Sequence, residues 1–468
     1  MREHRSYMIR MILPRVQRWL FLFGFLCPLF PVLSQTQFAP LPYFSRPAEP
    51  NAITRDGTKA VGYSYSGTAQ AGNAACSWTS TGIAAVPGQQ NWYDTSAYGI
   101  SADGNVIVGE GNSTLGVQYA WYWTPAVGQL QQVPVPGSPY TSSARGVTGD
   151  GKVVVGISTF LLPDNSFQSK AFRWDRSQAV AVILPQYTPP PNAIPNNAAA
   201  AVSDDGRRVV GVVLVSLGSY AAARWDDGGN PVLLSHGGDT IQAVAANGIS
   251  PDGSVVVGSA VNPVTGKGVA FKWTVAGGVV ALPNPTSGCI PTRTCYAIDG
   301  TTALKVSGDG RVIVGYGVNV AGDEEAIFWV DGQPYRVSGV AYAAGVLPEF
   351  WEPFRATGAD YFGNTIVGWG RGTSGGYEAY ALTLDATPAL PALVGPALRY
   401  SFAPATGLSV RYAAVPGLRY RMHGGTNIAS LPALENWTNG LGIDQEFVAT
   451  PAVTGGASRF FLRLEISR

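Results

Sequence analysis

One short phrase recurs along the chain: GISADGNVIVG at residue 99, GVTGDGKVVVG at 146, GISPDGSVVVG at 249 and KVSGDGRVIVG at 305. Aligning every copy places a turn glycine at Gly57, Gly104, Gly151, Gly206, Gly253, Gly310 and Gly363. A second glycine follows each after five residues, at Gly62, Gly109, Gly156, Gly211, Gly258, Gly315 and Gly368. A fixed interval repeated seven times demands one supersecondary unit repeated seven times, and no single-core fold imposes such a rule. An aspartate precedes the first glycine in six copies (Asp56, Asp103, Asp150, Asp205, Asp252, Asp309), and β-branched residues follow. That text predicts a hairpin turned on two residues, Asp-Gly, with positive φ. The seventh copy, DYFGNTIVG, departs from the pattern. The aspartates read as turn formers rather than as an acidic site.

Each copy continues into a third strand ending in tryptophan, at Trp78, Trp123, Trp174, Trp225, Trp273 and Trp329, with Leu382 in that place in the seventh. Recurrence once per unit at one strand position points to packing between neighbouring sheets rather than to a row of ligand platforms. A fourth strand follows, as in GGVVALP and GIAAVP. Four antiparallel strands per unit, seven times, predict an all-β fold: a seven-bladed β-propeller over 35–386. The segment FAPLP, with Leu41-Pro42, repeats the fourth-strand ending seen at Leu184-Pro185 and Leu282-Pro283 but stands upstream of the first blade. Residues near 38 to 43 are therefore expected to supply the outer strand of blade seven, with Leu390-Pro391 as the rival segment.

The units resemble the extracellular repeats of the HAF type, named for a His-Ala-Phe tripeptide before the tryptophan strand. Ala171-Phe172 and Ala270-Phe271 fit, while Lys170 and Val269 stand where histidine would be. The resemblance implies a secreted repeat protein and brings no catalytic residues. Beyond a Pro-rich linker at 387–398, residues 399–468 read as a small β domain. Its pieces GLRYRMHGGTNIASLPALENW and ASRFFLRL resemble a C-terminal module of secreted bacterial proteins, which implies a sandwich-like accessory domain.

Arg2, Arg5, Arg10, Arg15 and Arg18 precede the apolar run from Trp19 to Leu33, which reads as a cleaved secretory signal over 1–34. The run falls short of the roughly 20 residues a membrane span needs, and Pro28 and Pro31 interrupt it. Removing five of the 31 basic residues and one of the 30 acidic ones leaves a mature chain near −3, with nothing to attract nucleic acid or an anionic membrane. The expected location is extracellular or cell-surface, with the periplasm as a further possibility. Cys289 and Cys295, in CIPTRTC, are expected to form a disulfide, and Cys76 to be a buried apolar residue. His236 and His423 read as solvated loop residues; no metal site or cofactor is expected.

Strand order sends the Asp-Gly turns to one face of the ring and the long connections to the other. The long-loop face carries Trp92 and Tyr93 between blades one and two, the cysteine loop between five and six, Asp323, Glu324 and Glu325, and then Glu349, Phe350, Trp351, Glu352 and Phe354 between six and seven. Trp92 and Trp351 fall outside the repeat, so blade packing does not require them. Binding is therefore assigned to Trp92, Tyr93, Glu349, Trp351 and Glu352, with an extracellular glycan or a protein as partner. A non-enzymatic binding or scaffold protein is the favoured class. The alternative is a carbohydrate-active hydrolase or lyase using Glu325 and Glu349 as acid and base.

Overall fold

A computed structural model describes residues 36–384, apart from 67–71, 138, 236–239 and 292, together with the backbone of seven further strands, Arg5–Ile12 and six between residues 399 and 467. His236 lies outside the described residues, as do 13–35 and the linker. The chain separates into two units, Gln35–Asp385 and the remainder.

The larger unit is a seven-bladed propeller. Each blade is a four-stranded antiparallel sheet, its strands in sequential order in blades 1 to 6; blade 3, for example, runs Thr141–Val147, Val153–Leu161, Phe167–Asp175 and Val182–Ile183. The first strands of neighbouring blades touch all the way round, and blade 7 returns onto blade 1. Closure follows the Leu41-Pro42 reading: Gln37–Pro40 pairs with Tyr377–Thr383 as the outermost strand of blade 7, Phe38 opposite Leu382.

The repeated phrase has a different local structure from the two-residue turn expected. In blade 1 the closing pair is Thr54 and Lys59 (N to O 2.8 Å), so four residues form the loop, and the equivalent bond recurs in all seven blades. Glycine alone takes positive φ, 69–74° at the seven turn positions. The aspartate acts through its side chain. In blade 2, Ser101 Oγ donates to Asp103 Oδ1 (2.6 Å) and accepts from the Val106 N–H (2.9 Å), while Asp103 Oδ1 accepts from the Asn105 N–H (3.0 Å). The true motif is thus Ser/Thr-x-Asp-Gly, in which hydroxyl and carboxylate together satisfy the turn's donors.

The second glycine answers to a bulge. Every first strand carries a register shift at the same place, as between Ala144 and Gly146, and four of them carry a second. The bulge drives a carbonyl against the second strand, so a Cβ at Gly156 would lie 2.0 Å from the Ser143 carbonyl oxygen, and all seven positions share this contact within 0.1 Å. Only glycine fits there.

The six tryptophans are buried between blades, as their periodicity predicts. Three of them also fasten one blade to the blade before it. The indole N–H of Trp78 donates to the Pro42 carbonyl (2.6 Å), Trp225 to Pro185 (2.9 Å) and Trp329 to Pro283 (2.7 Å). At these three places the Leu-Pro ending of the outer strand is therefore an acceptor presented to the next blade.

In the second unit, Arg5–Ile12 pairs with Arg459–Ser467, which also pairs with Arg419–Gly425; Arg399–Ala403, Gly407–Ala413 and Asp444–Ala449 form a separate antiparallel sheet. The basic part of the expected leader is thus a strand in this structure. Among the described residues no helix is long and apolar enough to cross a membrane.

Candidate functional site

On the long-loop face, blades 6 and 7 and the connections around them enclose a cleft of about 610 Å³. Its wall on one side is the loop closed by the Cys289–Cys295 disulfide, with Cα atoms 5.6 Å apart. This loop is braced from below by Val337–Ala343, a short helix the sequence reading lacked. Gly339 sits so close to Gly288 that a Cβ there would lie 1.9 Å from its carbonyl oxygen. The VSGVAYA stretch carries two alanines beside two valines and a glycine, so neither propensity nor a period this short marked it as a helix.

The floor is built from charge pairs. Glu325 pairs with the buried Arg336, whose other Nη donates to the Tyr296 carbonyl (3.0 Å), and the Ser338 hydroxyl donates to Glu325 (3.3 Å). Burial pushes the Glu325 carboxyl above the usual carboxylate range, and Arg336 pulls against that shift. Glu324 pairs with Arg355, which also lies over the Tyr316 ring at 4.3 Å. Glu352 sits between Arg371 (3.3 Å) and Arg293 (3.8 Å). Opposite the disulfide, Phe354, Trp369 and Tyr377 pack edge to face with centroids 5.4–6.1 Å apart, and Arg371 covers Phe354 at 5.5 Å. Tyr377 is 48% exposed and presents ring surface to the cleft.

A second hollow of about 770 Å³ adjoins the first and shares Ile290, Arg293, Glu352 and Arg371 with it. Glu349 and Phe350 line it; Phe350 is 67% exposed and held at φ 63°.

The assigned binding residues therefore divide. Glu352 stands in the wall common to both hollows, and Glu349 lines the outer one. Trp351, which the sequence leaves open as a binding ring or as a pin for its own loop, is 1% exposed and packs against Phe38 (5.0 Å) and Tyr380 (5.7 Å), inside the closure of blade 7. The blade lacking its repeat tryptophan adds aromatics from the preceding loop and the closing strand to Tyr380 of its own third strand. Trp92 and Tyr93 are half-buried at the start of Trp92–Ile100, Trp92 against the core between blades 1 and 2, and they line neither hollow. The residues missed were Trp369, Tyr377, Arg293 and Arg371, while Phe354 was placed on the loop face but not assigned to binding. Tyr377 and Arg371 lie at blade-strand ends, and only the three-dimensional ring brings them to the loops. Glu325 and Glu349 line different hollows. Among the described residues no group of three or more His, Cys, Asp or Glu could hold a metal ion.

Fold and cleft together define a seven-bladed propeller with a charge-paired, aromatic-edged recess on its long-loop face. No protein family and no curated protein matches the sequence. Among solved structures the chain is similar to TolB from Acinetobacter baumannii (18% identity, TM-score 0.35), with 50% of this chain covering 54% of that one, so it spans about half the length of that relative. It is similar to an oligogalacturonate lyase from Vibrio parahaemolyticus (11% identity, TM-score 0.47, 76% of this chain and 92% of that one). It is also similar to the β-propeller domain of the trilobed protease from Pyrococcus furiosus (9% identity, TM-score 0.45, 74% and 95%).

Proposed function

We propose that this is a secreted or cell-surface protein that binds an extracellular glycan or protein without transforming it, using the cleft between blades 6 and 7. The observation that carries the reading is the pairing of every glutamate in the cleft with an arginine, beside an exposed tyrosine ring. Paired Arg–carboxylate groups hold fixed donors and acceptors while leaving little net charge, which suits hydroxyl-rich or peptide ligands better than polyanions. Ring faces supply the apolar contact such ligands need. The disulfide and the basic-then-apolar N-terminus support an oxidising location outside the cytoplasm, and the HAF-type resemblance points the same way. We assign residues 1–34 to a cleaved leader, whose removal would leave Arg459–Ser467 paired with Arg419–Gly425 alone.

The carbohydrate-active reading asks for two carboxylates facing one substrate. Glu325 is engaged by Arg336 and Ser338, and Glu349 belongs to the neighbouring hollow, so that reading lacks its pair. The test is retention of the full chain on immobilised neutral polysaccharides and on extracellular protein fractions. Tyr377→Ala and Arg371→Ala should each weaken retention at least about tenfold, the scale of one lost stacking or charged contact, with thermal unfolding unchanged. Retention unaffected by either substitution, or release of shortened sugar products, would refute the proposal.

A further inference from the structure

The ring encloses a second feature that the cleft does not involve. At the Asp-Gly-turn end the central channel is closed by the second residue of each of the seven turns, the x of six Ser/Thr-x-Asp-Gly motifs and Tyr361 in blade 7. These are tied by backbone bonds between blades, such as Ala102 N–H to the Gly149 carbonyl (2.9 Å) and Tyr361 N–H to the Arg55 carbonyl (2.9 Å). Arg55 reaches across from blade 1 to Asp204 of blade 4, beneath the Tyr361 ring at 5.8 Å. Behind this plug lies a cavity of about 160 Å³ lined by Arg55, Arg145, Lys305, Asp204 and Asp360 among others. At about 30 Å³ per water molecule, it holds a few waters or one small ion.

Lys305 breaks the repeat. The residue after the bulge is Ala52, Gly99, Gly146, Ala201, Gly248 and Gly358 in the other six blades, small in every case. Lysine in that place makes no hydrogen bond or ion pair among the described residues. The carboxylates that could serve it are engaged elsewhere. Asp204 is held by Arg55 and accepts from the Gly149 N–H (2.9 Å). Asp360 accepts from the N–H groups of Asn364 and Thr365, and Glu110 accepts from Arg145 and from the Tyr98 hydroxyl (2.8 Å). Independently, Nη1 of Arg55 is buried with no partner. Enclosure and the facing Arg145 push the Lys305 ammonium down to about 8, the response of a cation lacking its counter-charge.

We propose that this cavity is a site for a small inorganic oxyanion of phosphate or sulfate size, held by Lys305 and the free Nη1 of Arg55, with Arg145 adding charge from blade 3. Three cationic groups arriving from three blades suit an ion with several acceptor oxygens in different directions. Such an ion would cross-link blades 1, 3 and 6 through the channel.

The experiment is thermal unfolding and titration calorimetry of the full chain with inorganic phosphate, against chloride at matched ionic strength, with sulfate and acetate as further arms. Phosphate or sulfate should bind saturably, one per chain, and raise the melting temperature. Lys305→Gly, which restores the residue four other blades carry here, and Lys305→Met should each weaken binding at least about tenfold, the scale of one charged hydrogen bond. The idea is overturned if neither phosphate nor sulfate binds saturably to the unaltered protein, a result no misfolded variant can mimic. Acetate binding alone, or unchanged phosphate binding in both Lys305 variants, would also overturn it.

Discussion

Blade 7 replaces the turn aspartate with Phe362 and the preceding hydroxyl with Asp360, so that one carboxylate performs both tasks. It accepts from the N–H groups of Asn364 (2.8 Å) and Thr365 (3.2 Å) from a position that is 7% exposed. Burial raises its carboxyl from 3.8 to about 6, against the pull of those backbone donors. Between about pH 4 and 6 the folded chain therefore holds a proton the unfolded chain releases, and stability contributed by Asp360 falls as pH rises through that window. A shift of about 2 units corresponds to about 3 kcal/mol. Asp360→Asn removes the titration. The difference in urea-unfolding free energy between Asp360→Asn and the unaltered protein should thus move by about 3 kcal/mol in the variant's favour from pH 4 to pH 7. The double exchange Asp360→Ser with Phe362→Asp goes further, because it recreates the hydroxyl–carboxylate turn of the other blades. Asp103, Asp150 and Asp252 in those turns are held below their ordinary value by the hydroxyl and N–H groups that offset their burial, so the double variant should gain stability as pH rises from 3 to 5. A free-energy difference between Asp360→Asn and the unaltered protein that stays constant over pH 4–7 would refute the reasoning.

The bulge account separates two glycines: Gly156→Ala should lose about 1–3 kcal/mol or fail to fold, the scale of a forced overlap in a packed core, whereas Gly268→Ala, where a Cβ meets nothing within 4 Å, should unfold like the parent. Phe38→Ala should cost about 3–5 kcal/mol and expose blade 7 to proteolysis first, read by the order of fragments in limited digestion, because the ring of Phe38 packs between Trp351 and Tyr380. Replacing Cys289 and Cys295 by alanine should lower stability by about 2 kcal/mol and weaken ligand retention by the cleft, since the loop they close is one of its walls; unchanged retention would remove the loop from the site. N-terminal sequencing of exported protein should begin at Gln35.

What could be read from the residues was what the repeat writes many times. The blade number, the buried tryptophans and the closing strand each rest on a period or a duplicated phrase, and one such signal survives local drift. Single occurrences were less legible. Trp351 looked free because the repeat does not need it, yet in the blade with Leu382 in the tryptophan's place it packs with Phe38 and Tyr380. The turn was misjudged by two residues because Asp-Gly also closes longer loops when a serine or threonine stands two places earlier. Arg371 and Tyr377 gave no sign of belonging with Cys289, since nothing in a linear text tells which strand ends meet across a ring.

Gln37 pairs directly with Thr383, so the two ends of the propeller lie on neighbouring strands, about 5 Å apart by ordinary sheet spacing. In topological terms the ring is a circle cut at one hydrogen-bonded seam, and the position of the cut is arbitrary with respect to its packing. Moving residues 36–42 to follow Leu384 through a short linker would turn an interlocked blade into a contiguous one. Opening the chain at another blade boundary, such as the Pro-rich connection after Leu184, would relocate the seam there. A circularly permuted chain of this kind should keep every blade contact, and it would differ from the parent in when the ring can close: the natural order withholds closure until the seventh blade has been made.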